Sequence, residues 1–229
     1  MIVAPLGTGS RISDLKYKLM TIELLNLAKN FMPTVDRALY VNRTLEKIMR
    51  LESEIQQRLE YDEAGAKLNS ETLLLERAVE HAVNAFAGTR ITKILTPAVD
   101  SVPLATLLAH RLGVKLIIAK KAKDVGISEF IEETYIPKRT AILVSVCVPR
   151  DAIKRGDRVL IVSNVIDTGE TQMSLARIVQ RAKAEVIGIY SLIGIGIEGK
   201  TKLQQSLHCP TEIIYQIGEK PLQSSPAGG

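Results

Sequence analysis

Hydrophobic and polar positions follow two regimes along this chain. In the first, covering roughly the first ninety residues, apolar positions recur at spacings of three and four, as on amphipathic helices. Leu15, Leu19, Ile22, Leu25 and Ala28 share one face of a helix running from Asp14 to about Asn30. Met32-Pro33-Thr34 breaks that pattern, and Thr34 suits the N-cap of the next helix. This second helix is predicted from Val35 to about Glu60, with Leu45, Ile48, Ile55 and Leu59 near heptad register. Glu46–Arg50 and Glu54–Arg58 add favourable i,i+4 pairs. So long a helix suits packing against other helices or a second subunit. Tyr61 to Asn69 reads as a polar linker, and Asn69 or Ser70 caps a third helix through Phe86, closed by Gly88.

The second regime is an alternation of short apolar runs with helical periodicity. Strands are expected at Ile91–Leu95, Val114–Ala119, Ala141–Val148, from Val159 onward, at Glu185–Ile193 and at Glu212–Ile217. Helices are expected at Val102–Leu112, ended by Gly113, and after the turn ending at Thr171, to about Ala184. Ala122 to Arg139 reads as a mobile polar connection, and Gly194, Gly196 and Gly199 as punctuation of a loop. Strands alternating with helices predict an α/β fold with a mostly parallel sheet covered on both faces. The chain divides into an N-terminal helical segment over 1–68, an α/β domain over 69–221 and a tail without structure over 222–229. Ligands of such sheets sit at the carboxyl ends of the strands. That edge gathers Thr96–Ser101, the segment from Lys120 onward, and Ser163–Thr171.

Within that edge, Val159 to Thr171 carries the clearest chemistry. A run buried on both faces gives way to a turn of small and hydroxyl residues, and then to a helix with Met173, Leu175, Ile178 and Val179 on one face. Strand, tight turn and helix N-terminus in that order make an anion site, because unpaired N–H groups and the helix dipole converge there. Gly169 permits the turn, and the hydroxyls of Thr168 and Thr171 can donate to phosphate oxygens. An ordinary strand-to-helix turn is the competing reading.

Composition narrows the picture without changing it. With 229 residues, 46% of them hydrophobic, the chain can bury a sizeable core. A net charge of +5 suits an anionic small ligand and permits nucleic acid without demanding it. No apolar run is long enough to span a bilayer, and the first residues lack the pattern of a secretory signal. A cytoplasmic protein is therefore expected, with Cys147 and Cys209 reduced and at no metal-like spacing.

The stretch from Val159 to Thr171 resembles the phosphoribosyl-diphosphate (PRPP) motif of type I phosphoribosyltransferases. Pro97-Ala98-Val99-Asp100-Ser101-Val102-Pro103-Leu104-Ala105 is similar to that family's pyrophosphate loop. Lys120-Lys121 stands where the family often has a basic pair, and Gly199-Lys200-Thr201-Lys202-Leu203 resembles the end of adenine phosphoribosyltransferases. The likeness covers about residues 80–217. It implies the type I phosphoribosyltransferase fold, here with an N-terminal helical extension. Leu15-Lys16-Tyr17-Lys18, Ile22-Glu23-Leu24-Leu25 and Pro33 to Ala38 resemble archaeal members that carry an N-terminal helix-turn-helix. The recognition helix has no room between Phe31 and Pro33, so DNA binding is not expected.

What the resemblance implies is transfer of 5-phosphoribosyl from PRPP to a purine, adenine or a 6-oxopurine, with release of pyrophosphate and Mg²⁺ on the polyphosphate. Asp167, Thr168, Gly169, Glu170 and Thr171 would hold the 5′-phosphate. Ala98, Val99, Asp100 and Ser101 would cover the pyrophosphate, with charge from Lys120 and Lys121. Asp167 would also move a proton at the base, against the competing reading of a turn-forming Asp bonded to its own backbone. A homodimer is the family's usual assembly.

Two departures bear on activity. The family's acidic pair, which grips the ribose diol and helps place Mg²⁺, is here Ser163-Asn164. Hydrogen bonds to a charged group contribute about 1.5–3 kcal/mol and neutral ones about 0.5–1.5. These side chains still face the ribose in this reading, but bond it more weakly and bring no charge for a hard cation. No residue is assigned directly to a metal. Ser101 stands where the loop often has Gly, so its Cβ is expected to hinder the loop. Phosphate cradling survives both changes, while metal-assisted turnover is put in question. The changes lead to the expectation of a site favouring a nucleoside monophosphate such as AMP or GMP without Mg²⁺. A non-catalytic PRPP or nucleotide sensor with a lost DNA-binding helix is the alternative to an enzyme, and a dimeric structural subunit is a third reading.

Overall fold

The computed structural model describes residues 43–44, 46–50, 72–137 and 142–217. The expected helix at 14–30, the linker at 61–69, the caps at Asn69 or Ser70 and the C-terminal tail lie outside them. The chain forms two compact units, Met1–Ser53 and Glu54–Gly229. In the first, residues 43–44 and 46–50 are helical, within the span predicted for the second helix.

The second unit runs α1 (Thr72–Ala85), β1 (Lys93–Pro97), α2 (Val102–Leu112), β2 (Lys115–Ala119), β3 (Phe130–Tyr135), β4 (Val144–Pro149), β5 (Arg158–Ile166), α3 (Glu170–Arg181), β6 (Glu185–Ile195), α4 (Glu198–Leu207) and β7 (Thr211–Ile217). Five strands form one sheet in the order β2-β1-β5-β6-β7, and every pairing in it is parallel. From β1 the chain steps outward to β2. From β5 it steps the other way, to β6 and β7. The strand order therefore reverses between β1 and β5, which opens a crevice at their carboxyl ends.

Side-chain alternation sorts the core onto the two faces. Val159, Ile161 and Ile189 join Leu175, Ile178 and Val179 of α3 in one buried cluster. On the other face of β6, buried Tyr190 donates its hydroxyl to the Ala78 carbonyl of α1 at 2.7 Å. Burial first, and the charge of Glu212 second, push that phenol well above its ordinary pKa, so it stays a neutral donor.

Three expectations are corrected. The run at Ala141–Val148 is not a strand of the parallel sheet. Its ordered part, β4, pairs antiparallel with β3 in a separate ribbon. An isolated bridge between Lys120 and Cys147 joins that ribbon to the end of β2. β3 itself falls in the stretch expected to be a mobile connection. Its glutamates concealed it, because Glu132 meets Lys123 at 2.7 Å and Glu133 meets Arg181 at 2.8 Å and Arg177 at 3.3 Å. Gly199 is not in a loop but in the first turn of α4, whose buried residues are Gly199 and Leu203. Two buried positions give too thin an apolar stripe for periodicity to mark a helix.

Candidate functional site

The crevice is built first by the end of β5. Its buried run closes at Ile166, Asp167-Thr168-Gly169 turn the chain, and α3 begins at Glu170. Gly169 occupies the N-cap in the left-handed region, φ 77°, and no side chain caps the helix. The first-turn amides are thus left for the crevice, with the positive end of the α3 dipole behind them. The turn is braced from behind by α4. A Cβ on Gly169 would stand 3.1 Å from the Gly199 carbonyl oxygen, and one on Gly199 would stand 2.0 Å from the Asp167 carbonyl oxygen. Backbone therefore packs on backbone where α4 supports the turn. Lys202 of α4 forms an ion pair with Glu170, the first residue of α3.

The second wall is the loop after β1. Its Ala98–Val99 peptide is cis. Ala98 N–H donates to the Ala119 carbonyl at the end of β2, 2.9 Å. On the other side, Asn164 N–H donates to Ser101 Oγ at 2.9 Å, and Asn164 Nδ2 donates to the Asp100 carbonyl at 2.7 Å. The loop is therefore fastened to both neighbouring strands. Ser101 N-caps α2 at φ −86°, in the ordinary helical region, so its Cβ brings no backbone strain there. The expected hindrance is absent, and the hydroxyl is used as a fastening. The amino end of α2 faces the same crevice as that of α3.

Ser163 and Asn164 are 1% and 2% exposed. As neighbours on a strand they point to opposite faces of the sheet. Ser163 Oγ accepts from Gln172 Nε2 of α3 at 2.9 Å, while Asn164 reaches the β1 loop on the α2 side. Both side chains thus spend hydrogen bonds inside the protein. At the end of β2, Lys120 and Lys121 are exposed, and Lys120 Nζ lies 2.7 Å from Asp124 Oδ1. Cys147 beside them is buried, and burial, then the Glu132 charge, push its thiol up. Among the described residues no group of three or more His, Cys, Asp or Glu side chains could hold a metal. The end of β5 does not fit Mg²⁺, a hard cation that wants carboxylate and phosphate oxygens, since Ser163 and Asn164 are neutral and committed to protein partners.

The structure therefore gathers Ala98–Ser101 and Asp167–Thr171 around one crevice and sets Lys120 and Lys121 at its margin. Sequence reasoning missed Gln172, which bonds both Ser163 Oγ and the Val165 carbonyl, and the pairing of Lys202 with Glu170. Gln172 is 2% exposed, and a glutamine near a helix start reads in sequence as a solvated residue, so no local signal marked the former. The latter joins residues 32 apart, and nothing local announces it.

A parallel sheet with its crevice at a strand-order reversal, flanked by two helix N-termini, places the molecule among α/β proteins that take ligands at the switch point. More narrowly, a model of the phosphoribosyl transferase domain matches residues 69–224, and the chain belongs to that family, with the type I phosphoribosyltransferase fold. The xanthine phosphoribosyltransferase of Lactococcus lactis is 29% identical over 154 residues, which span 61% of this chain and 78% of that protein. The hypoxanthine/guanine phosphoribosyltransferase of Methanosarcina mazei is 29% identical over 152 residues, 65% of this chain and 76% of its own. The crystal structure of adenine phosphoribosyltransferase from Rhodothermus marinus superposes with a TM-score of 0.57 at 31% identity, covering 63% of this chain and 80% of that one.

Proposed function

We propose that this protein transfers the 5-phosphoribosyl group of PRPP to a purine base and releases pyrophosphate. The observation that carries the reading is the uncapped amino end of α3 behind Asp167-Thr168-Gly169, facing a second loop that is hydrogen-bonded to both β2 and β5. Asp167 to Thr171 hold the 5′-phosphate through backbone amides and the two threonine hydroxyls. Ala98 to Ser101 cover the pyrophosphate, and Lys120 and Lys121 add positive charge at the margin. Lys120 does so by leaving Asp124, an exposed pair whose loss costs little. A ring nitrogen of the purine attacks C1 of the ribose as the bond from C1 to the pyrophosphate oxygen breaks. Pyrophosphate leaves with that electron pair, and Asp167 takes the proton that the ring nitrogen gives up.

Relatives named for xanthine, hypoxanthine/guanine and adenine support a purine acceptor. Enzymes of this family generally use Mg²⁺ with PRPP, and the metal here comes as part of the substrate complex rather than on the strand end. The expected assembly is a cytoplasmic homodimer. The test is pyrophosphate release from PRPP and Mg²⁺ with adenine, hypoxanthine, guanine and xanthine in turn. Turnover with at least one base is expected. Silence with all four, from protein that still binds PRPP, would overturn the assignment of activity.

A further inference from the structure

Ser101 and Asn164 stand 63 positions apart in sequence, yet in space they meet. Asn164 N–H donates to Ser101 Oγ at 2.9 Å, and its side-chain amide donates to the Asp100 carbonyl at 2.7 Å. Both bonds cross the same gap, from the end of β5 to the loop at Ala98–Ser101. Both are shielded, with Ser101 5% and Asn164 2% exposed. Glycine at 101 would remove the acceptor for a buried N–H. Aspartate at 164 would replace a donor with a carboxylate facing the Asp100 carbonyl oxygen. Each residue therefore makes the other useful. Beneath them Ser163, also neutral, is held by Gln172.

We infer that Ser101 and Asn164 are a coupled positioning pair that presets the loop for a diphosphate and leaves the strand end uncharged, so that pyrophosphate and nucleoside monophosphates bind without a divalent cation. The inference rests on the reading of this crevice as a PRPP site. A strand end bearing carboxylates repels an incoming diphosphate unless a cation lies between them, and at position 164 it has no side-chain donor for the Asp100 carbonyl. Here the fastening is made by two neutral hydrogen bonds, and the cation has nothing to neutralise at positions 163 and 164. Asp100 and Asp167 remain at the rim, and Glu170 is paired with Lys202.

Titration calorimetry with inorganic pyrophosphate and with AMP and GMP, in EDTA and again in Mg²⁺, tests this on the full chain. The wild type is expected to bind pyrophosphate and at least one nucleotide in EDTA within about threefold of its affinity in Mg²⁺. Asn164→Asp should bind pyrophosphate about tenfold or more weakly in EDTA and recover when Mg²⁺ is added, because a new carboxylate faces the anion. Ser101→Gly should weaken binding in both media alike, since it loosens the loop without adding charge. Wild-type binding that requires Mg²⁺ would overturn the inference and leave the PRPP site standing. No binding of pyrophosphate or nucleotide in either medium, nor of PRPP titrated alongside them, would remove both. If a variant fails to fold, by circular dichroism, the wild-type comparison alone decides.

Discussion

At the scale of single residues the sharpest constraint is Gly199. Its missing side chain lets α4 approach until a Cβ would lie 2.0 Å from the Asp167 carbonyl oxygen. Gly199→Ala must move backbone, and overpacking of this kind costs typically about 1–3 kcal/mol. We expect a lower melting temperature and a larger loss of affinity for 5′-phosphate ligands than for a free base, because the displaced atoms belong to the phosphate turn. Equal loss for both would show that the turn is not what Gly199 serves. The sequence offered Asp167–Thr171 as a candidate through local pattern, since a tight turn between a strand and a helix needs small residues at fixed offsets, and Ala98–Ser101 through its resemblance to the pyrophosphate loop. It marked Gly199 but not the close approach that Gly199 permits, whose requirement comes from a backbone 32 positions earlier. Nor could it foresee that Ser101 is at ease in the loop, because that depends on φ at 101 and on the partner N–H at 164.

At the scale of elements, α4 is a brace for α3. Glu170 places a carboxylate in the first turn of the helix that would hold the 5′-phosphate, and Lys202 neutralises it. Lys202→Met should raise KM for PRPP several-fold at low salt with little change in kcat, an effect that fades as salt screens the freed carboxylate. The double variant Lys202→Met with Glu170→Gln should restore most of the loss, which a merely structural Lys202 would not allow. A second element-scale bond is that of Tyr190 to the Ala78 carbonyl, which seats α1 on β6. Tyr190→Phe should cost about 1 kcal/mol in chemical denaturation, because it deletes one buried hydrogen bond and leaves the ring in place. Elements with strong local signals were readable, and Val102–Leu112 was bounded correctly, with Gly113 marking its end. β3 and α4 were not, because their stability comes from ion pairs and one-sided packing with distant segments, which carry no period along the chain.

At the scale of the molecule, the proposed chemistry and the shielded pair of Lys93 and Asp157 lie at opposite edges of the sheet. Lys93 and Asp157 meet at 2.7 Å at the amino-terminal edge, with side chains 11% and 16% exposed. Lys154 N–H also donates to Asp157 at 2.7 Å, and the Thr92 hydroxyl lies 3.2 Å from it. Burial works to raise the Asp157 pKa, but the hydrogen bonds from Lys93, Lys154 and Thr92 and the Lys93 charge outweigh it, and the net direction is down. The folded form therefore holds its proton less tightly than the unfolded chain, whose aspartates titrate near about 3.9. The pair contributes in full above that value, and its contribution drains away as pH falls through the depressed folded value. Asp157→Asn should thus lower stability by about 3 kcal/mol at neutral pH, since it leaves Lys93 buried without a counter-charge. The gap between wild type and variant should narrow in urea titrations run from pH 7 towards pH 3. Affinity for pyrophosphate should stay within about twofold throughout the pH range where both remain folded, because distant sites combine additively. A gap independent of pH would mean that Asp157 acts through packing rather than charge. A coupled loss of affinity would mean that the two edges do not act independently.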